Sequence, residues 1–150
     1  GHYYFDLVVD DELRPEARRL FGDESVGYDE ALRRHYRDGP RPGWEQHFIT
    51  SYASAHPAED WAETFAHCLH IRAALETAGD NGLMHVADID DWSADFITLA
   101  VKMNDVMRSL GLGDAYPFVI NATVEEKIEF VRRAIRRFTD RPGAPSSAAG

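Results

Sequence analysis

A single cysteine, Cys68, in 150 residues rules out an intrachain disulfide and the stapled frameworks of small secreted domains. A reducing, cytoplasmic setting is the expectation. No run approaches the roughly 18 apolar residues of a membrane-spanning helix, and no charged-then-apolar leader opens the chain, so no membrane partner is expected. Positive charge is scarce: 26 acidic against 16 basic side chains leave a net charge of −10, which repels a nucleic-acid backbone as well as an anionic bilayer. Nucleic acid is therefore not an expected partner. The one basic cluster, Arg132, Arg133, Arg136 and Arg137, reads as a solvated face with favourable charge near a helix C-terminus. The chain opens Gly1-His2 with no initiator Met, so an upstream portion, with any targeting information, is expected to precede it. Alternation of apolar and polar residues is nearly missing too, and only Phe48 to Tyr52 supports an extended reading.

What is present is helical. Pro15 to Phe21 reads as a helix with proline in its first turn and Gly22 just past its end. Tyr28 to Arg37 reads as a second, closed by the loop DGPRPGW from Asp38 to Trp44. The opening GHYYFDLVV suits the end of a helix. A long central helix is expected from Pro57 to Ala78, stopping at Gly79, and another from Asp91 to Leu110 with Phe96, Leu99, Ala100, Met103, Val106 and Met107 as its apolar stripe. A last helix should begin with Thr123 as cap of a Thr-Val-Glu-Glu box and bury Ile128, Phe130, Val131, Ile135 and Phe138. The fold expected is a mostly α, single helical domain over 1–140 with little or no sheet, followed by a flexible tail at 141–150 that lacks anything to bury.

Chemistry-bearing residues concentrate in the central helix. At about 100° per residue, Glu59, Glu63, His67 and His70 fall within about 80° of one another, while Trp61, Phe65, Cys68 and Leu69 lie on the far side. One face packs; the other carries four ligand-type groups that need water, a metal or a polar partner. Each alone has a bland explanation, as dipole compensation or a surface pair. A bridged di-iron bundle would need Glu-x-x-His pairs, and no Glu of this chain has His three residues later. His56 reads as a surface-loop residue, with the lining of a cleft as alternative, and Cys68 as a small buried hydrophobe.

The strings GHYYFDLV, ELRPEARRLFGDES, ALRRHYRDGP, FITSYASAHPAEDWAETFAHCLH, LETAG and AYPFVI, in this order, resemble the bacterial zinc-binding metallopeptidase family from Gly1 to Phe138. That resemblance implies a gluzincin-like site in the C-terminal part of a zincin-type fold, zinc as cofactor and a peptide or protein as substrate. Gly1-His2 is similar to the end of an H-E-x-G-H helix, which makes His2 a zinc ligand and places the first histidine and the general-base glutamate before Gly1. E-D-W-A-E is similar to the E-x-x-A-E of lethal-factor-like gluzincins, which makes Glu59 the third ligand and puts Glu63 behind it, orienting a ligand imidazole. Tyr52, seven residues before Glu59, matches the tyrosine that donates to the oxyanion in that pattern; a buried structural tyrosine is the competing reading. His67 is expected behind the ligands or in a polar core. The resemblance implies that the parent protein hydrolyses peptide bonds and that this chain alone is inactive. The alternative is a non-catalytic helical binding or scaffold module that keeps the fold.

Overall fold

The structure is a computed structural model that describes residues 1–85 and 92–141. Among these residues lie six α-helices, α1 (His2–Val8), α2 (Arg14–Phe21), α3 (Tyr28–Asp38), α4 (Pro57–Asp80), α5 (Trp92–Ser109) and α6 (Ala122–Thr139), with 3-10 turns at Trp44–Gln46 and Tyr52–Ala55 and no strand. The expected tail beyond Arg141 and the expected helix start at Asp91 lie outside the described residues.

The longest helix, α4, is the axis, and α1, α2, α5, α6 and the second 3-10 turn all pack on it. Its start is fixed locally. His56 is extended and its Nδ1 accepts the Ala58 N–H at 3.0 Å, while Pro57 occupies the first turn, where no backbone donor is needed. His56 is thus a buried cap, 2 % exposed, and not the surface residue expected. Its second nitrogen, Nε2, sits 3.0 Å from the Val26 carbonyl, so the ring donates there and accepts at Nδ1.

Trp61 is the centre of the core. It is 1 % exposed and meets Phe5 at 5.1 Å, Phe21 at 5.5 Å, Phe65 at 5.8 Å and Phe130 at 6.3 Å between ring centroids. Burying an aromatic body of this size contributes several kcal/mol, roughly 3–5 by the cost of truncation. Its indole N–H donates to the Gly1 carbonyl at 3.1 Å, which ties the start of α1 to α4. A Cβ on Gly1 would stand 2.4 Å from Ala62 Cα, so only glycine permits this close approach of the two backbones.

Several sequence expectations give way to packing. Phe48 to Tyr52 is no strand: the Thr50 hydroxyl accepts the Ala53 N–H at 3.0 Å, a local side-chain bond that bends the segment into the 3-10 turn. Helix α4 runs through Gly79 to Asp80 because the left-handed residue that closes it is Gly82, at φ 65°, with the Leu83 N–H on the Ala78 carbonyl at 2.9 Å. The cap of α6 is Asn121, whose Oδ1 accepts from Val124 N at 3.0 Å; Thr123 lies inside the first turn. Leu69, expected in the core, is 46 % exposed, whereas His67 and Glu59 on the expected polar face are buried, because α4 is enclosed on most of its circumference. In α5 only the first half packs: Trp92, Phe96, Leu99 and Ala100 are buried, and Met103 and Val106 are exposed. The basic cluster of α6 is no purely solvated face, since Arg133 pairs with Glu16 at 2.8 Å and Arg137 with Asp10 and Glu12, across to α2 and the turn before it.

Candidate functional site

The first turn of α1 and the first turn of α4 meet at one point. His2 Nε2 lies 3.2 Å from Glu59 Oε1, with the His2 side chain 49 % and the Glu59 side chain 6 % exposed. The same carboxylate oxygen accepts the Tyr28 hydroxyl, brought in by the first turn of α3. Three helices therefore converge on one buried carboxylate. The carboxylate lies at the positive end of α4 and accepts a hydrogen bond from Tyr28, which compensates part of the loss of water. The hydrogen bond to Glu59, followed by burial, pushes the Tyr28 hydroxyl well above the ordinary tyrosine range, so Tyr28 holds its proton and acts as a donor. Tyr52 stands next to it on the second 3-10 turn. Burial first and then the Glu59 charge raise the Tyr52 hydroxyl too, and it remains a neutral donor. The Tyr52 ring also meets His35 edge-on at 5.9 Å.

The other expected residues lie away from this carboxylate, His67 and Cys68 in the buried interior that is one reading for each. Glu63, one turn after Glu59, accepts the Thr50 hydroxyl at 2.9 Å, and among the described residues no imidazole reaches it. His67 lies two turns along α4, about 12 Å from Glu59 by helical rise, too far to stand behind a ligand there. Its Nδ1 is 2.9 Å from the Tyr116 hydroxyl and its ring packs edge-on against Phe118 at 4.5 Å. His70 next to it is exposed. Cys68 is buried, and burial pushes its thiol up to about 11, so it is an unreactive core side chain.

His67 gives a direct test of this placement. Burial, with a smaller contribution from His70, pushes its ring down to about 4, against about 6.5 in an unfolded chain. The unfolded chain therefore takes up a proton first as the pH falls. The stabilisation is complete above about pH 6.5 and disappears as the pH drops toward 4. A ring-proton NMR titration of His67 should have its midpoint near pH 4, and His67→Phe should remove that component of the stability profile. A midpoint near 6.5 would place the ring in water.

Sequence reasoning missed two residues. Tyr28 carried no signal, since 31 residues separate it from Glu59. Lys127 did: it lies within the apolar stripe of Val124, Ile128 and Val131 on α6, and it is buried there with Asp60 at 2.6 Å. Asp60 follows Glu59 directly but points about 100° away, into the α4–α6 interface.

No three His, Cys, Asp or Glu side chains converge among the described residues, so the site holds two metal-type donors. Their separation suits a shared ion: two zinc bonds of roughly 2.0–2.1 Å at a tetrahedral angle put their donor atoms about 3.3 Å apart. Imidazole nitrogen with carboxylate oxygen is a zinc donor set, and His2 and Glu59 therefore fit the ion as part of its coordination.

Comparison with known proteins gives the family. Residues 1–134 match the family described as "Putative zinc-binding metallo-peptidase", and the chain belongs to it. It is 42% identical over 152 residues to the uncharacterized proteins Mb2598c of Mycobacterium bovis and Rv2568c of Mycobacterium tuberculosis. The match covers 90% of this chain and 43% of each relative, so the chain spans less than half their length. No solved structure matches. No described helix is long and apolar enough to cross a membrane.

Proposed function

We propose that this chain, through a domain at 1–140, supplies His2 and Glu59 as two ligands of a catalytic zinc ion in a gluzincin-like peptidase acting on peptides or proteins. The observation that carries the reading is the approach of His2 Nε2 to Glu59 Oε1 at 3.2 Å, on a carboxylate that is otherwise sealed from water. Zinc bound there would activate a water molecule and polarise the scissile carbonyl. The remaining ligand and the general base are assigned to residues outside this chain, in keeping with relatives more than twice as long. Tyr28 fixes the Glu59 carboxylate by donating to Oε1, and so sets the direction in which the other lone pairs face. Tyr52, a neutral hydroxyl beside that carboxylate, is assigned the donor role toward the oxyanion that develops on the substrate. Glu63, held through Oε2 by Thr50, is left to orient an imidazole brought from outside the described residues; His67 has no part in the site.

The test is zinc uptake by the full-length gene product, read by metal analysis and titration. One equivalent should bind, and His2→Ala should lower the affinity by at least about 100-fold, more than the 10- to 100-fold typical of losing a group that only supports a ligand. Unchanged zinc content in His2→Ala would end the assignment, and a protein that folds normally but takes up no zinc would favour a scaffold role. Tyr28→Phe leaves the buried carboxylate without a donor and should destabilise the metal-free protein by about 1.5–3 kcal/mol, measured by urea denaturation; Tyr52→Phe should cost less, since no hydrogen bond from Tyr52 to Glu59 is present.

A further inference from the structure

The segment between α5 and α6 leaves part of its backbone unpaired. Asn104 of α5 donates through Nδ2 to the Tyr116 carbonyl at 2.9 Å, and its Oδ1 accepts the Tyr116 N–H at 2.9 Å. These two bonds copy the pair that opposite residues of an antiparallel ladder exchange. The pairing stops there. Among the described residues, neither the N–H nor the carbonyl of Phe118, Val119 or Ile120 has a hydrogen-bond partner, and such groups are what another extended backbone can pair with.

The segment lies as an extended strip. Asp114, Tyr116 and Ile120 are half-buried while Ala115 and Pro117 are exposed, and Phe118 at 38 % is less exposed than Val119 at 69 %. That alternation has the two-residue period of a strand resting on a surface. Pro117 fixes its own φ and biases Tyr116 toward extended backbone, and Asn121 is extended at φ −91° and ψ 174°. By the same period, Phe118 and Ile120 turn their N–H and carbonyl toward the edge on which Asn104 holds Tyr116. Beside this strip lies a cavity of about 250 Å³, walled by Ile97, Ala100 and Val101 of α5 and by Phe118, Val119 and Ile120. Its apolar walls are open to solvent, since Ile97 and Val101 are exposed. A free backbone edge next to an apolar cavity is the geometry of strand addition: main-chain bonds supply affinity, and the cavity takes a side chain of the incoming strand.

Position and charge select the occupant. Phe118 packs on His67 at 4.5 Å between ring centroids, and His67 stands about 12 Å along α4 from Glu59, so a strand held here is not seated at that carboxylate. A second copy would bring another net charge of −10, which opposes association. The mycobacterial relatives, in contrast, are matched over 43% of their length, and a segment of the same polypeptide arrives at high effective concentration. We propose that Phe118 to Ile120 and the adjoining cavity dock an extended segment, bearing an apolar side chain, from the part of the full-length protein that lies outside this chain. This docking is independent of zinc.

Hydrogen exchange of the full-length gene product, read residue by residue, tests it. The Phe118 and Ile120 amides should exchange at least about 100-fold more slowly than in an unstructured chain, while Val119, on the other edge, should not be slowed. Val101→Asp puts a charge into the cavity wall at an exposed position and should bring both amides to within about threefold of the unstructured rate, with the amides of α4 still protected. Ile97→Asp, in the same wall, should do likewise and replaces Val101→Asp if that variant unfolds. Thr98→Asp, exposed on the same helix but outside the cavity, should leave the protection unchanged. Fast exchange of Phe118 and Ile120 in the unsubstituted protein overturns the proposal, as does equal protection of Val119 or a loss in Thr98→Asp as large as in Val101→Asp. Protection that grows with protein concentration overturns it in favour of a second copy, and protection that requires added casein peptides overturns it in favour of a substrate.

Discussion

Lys127→Met is expected to destabilise the fold by about 3–5 kcal/mol, the usual cost of removing one partner of a buried ion pair, and to lower the melting temperature by roughly 10 °C or more. The Lys127 ammonium is 4 % and the Asp60 carboxylate 1 % exposed as side chains, at 2.6 Å. Lys127 Nζ also donates to the His47 carbonyl at 2.7 Å and lies 4.5 Å from the centre of the Phe48 ring. It therefore pins the loop before the second 3-10 turn to α6 as well as holding Asp60. Burial pushes the Asp60 carboxyl up to about 7, and Lys127 is the main force against that rise. Without the ammonium the folded state would bind the proton still more firmly, while the unfolded chain releases it near 3.8. Relative to the parent, the variant's loss should be smaller at acid pH and grow as the pH rises through 7, because its folded state keeps the Asp60 proton that the parent's begins to release there. Urea denaturation at pH 4.5 and 7.5 measures this. Adding Asp60→Asn should restore most of the loss, since the cost lies in the orphaned charge and not in missing attraction. A loss under about 1 kcal/mol without pH dependence would mean that water reaches the pair.

Glu59→Gln should separate function from stability. The substitution keeps the volume and a carbonyl oxygen able to accept from Tyr28, and it removes a charge that is 5 % exposed. The metal-free protein should be as stable as the parent or slightly more so, because burying an ionised carboxylate costs more than burying an amide. Zinc affinity should fall by at least about 100-fold, as the amide oxygen is a weak zinc donor. The same pair of measurements on Asp60→Asn should give the reverse, a lower melting temperature with zinc uptake unchanged. Two adjacent acids of one helix would thereby be assigned to different tasks. Equal zinc affinity in Glu59→Gln and the parent would remove Glu59 from the site.

Much of this was legible because helix signals are local. The 3.6-residue period, the proline in the first turn of α2 and α4, and the glycines after α2 and α3 located five of the helices to within a few residues. The family was legible from ordered strings, and it is the family the chain belongs to. Where the reading failed, the competing force was tertiary. Periodicity placed Leu69 in the core and His67 on a polar face, since a helical wheel assumes one buried side, whereas α4 is surrounded. Capping rules preferred Thr123, but Asn121 also donates to the Glu45 carbonyl at 2.9 Å, so the cap that fixes the neighbouring 3-10 turn prevailed.

The sequence by itself determined the helical class, the order of the helices and the two residue types, His2 and Glu59, proposed for zinc. Only the tertiary structure decided what each charge faces. Tyr28 reaches Glu59 across 31 residues, Lys127 reaches Asp60 across 67, and Tyr116 reaches His67 across 49. No spacing rule covers such separations, because they depend on which faces α3, α6 and the segment before α6 turn toward α4. That choice is made by burial of the aromatic core around Trp61.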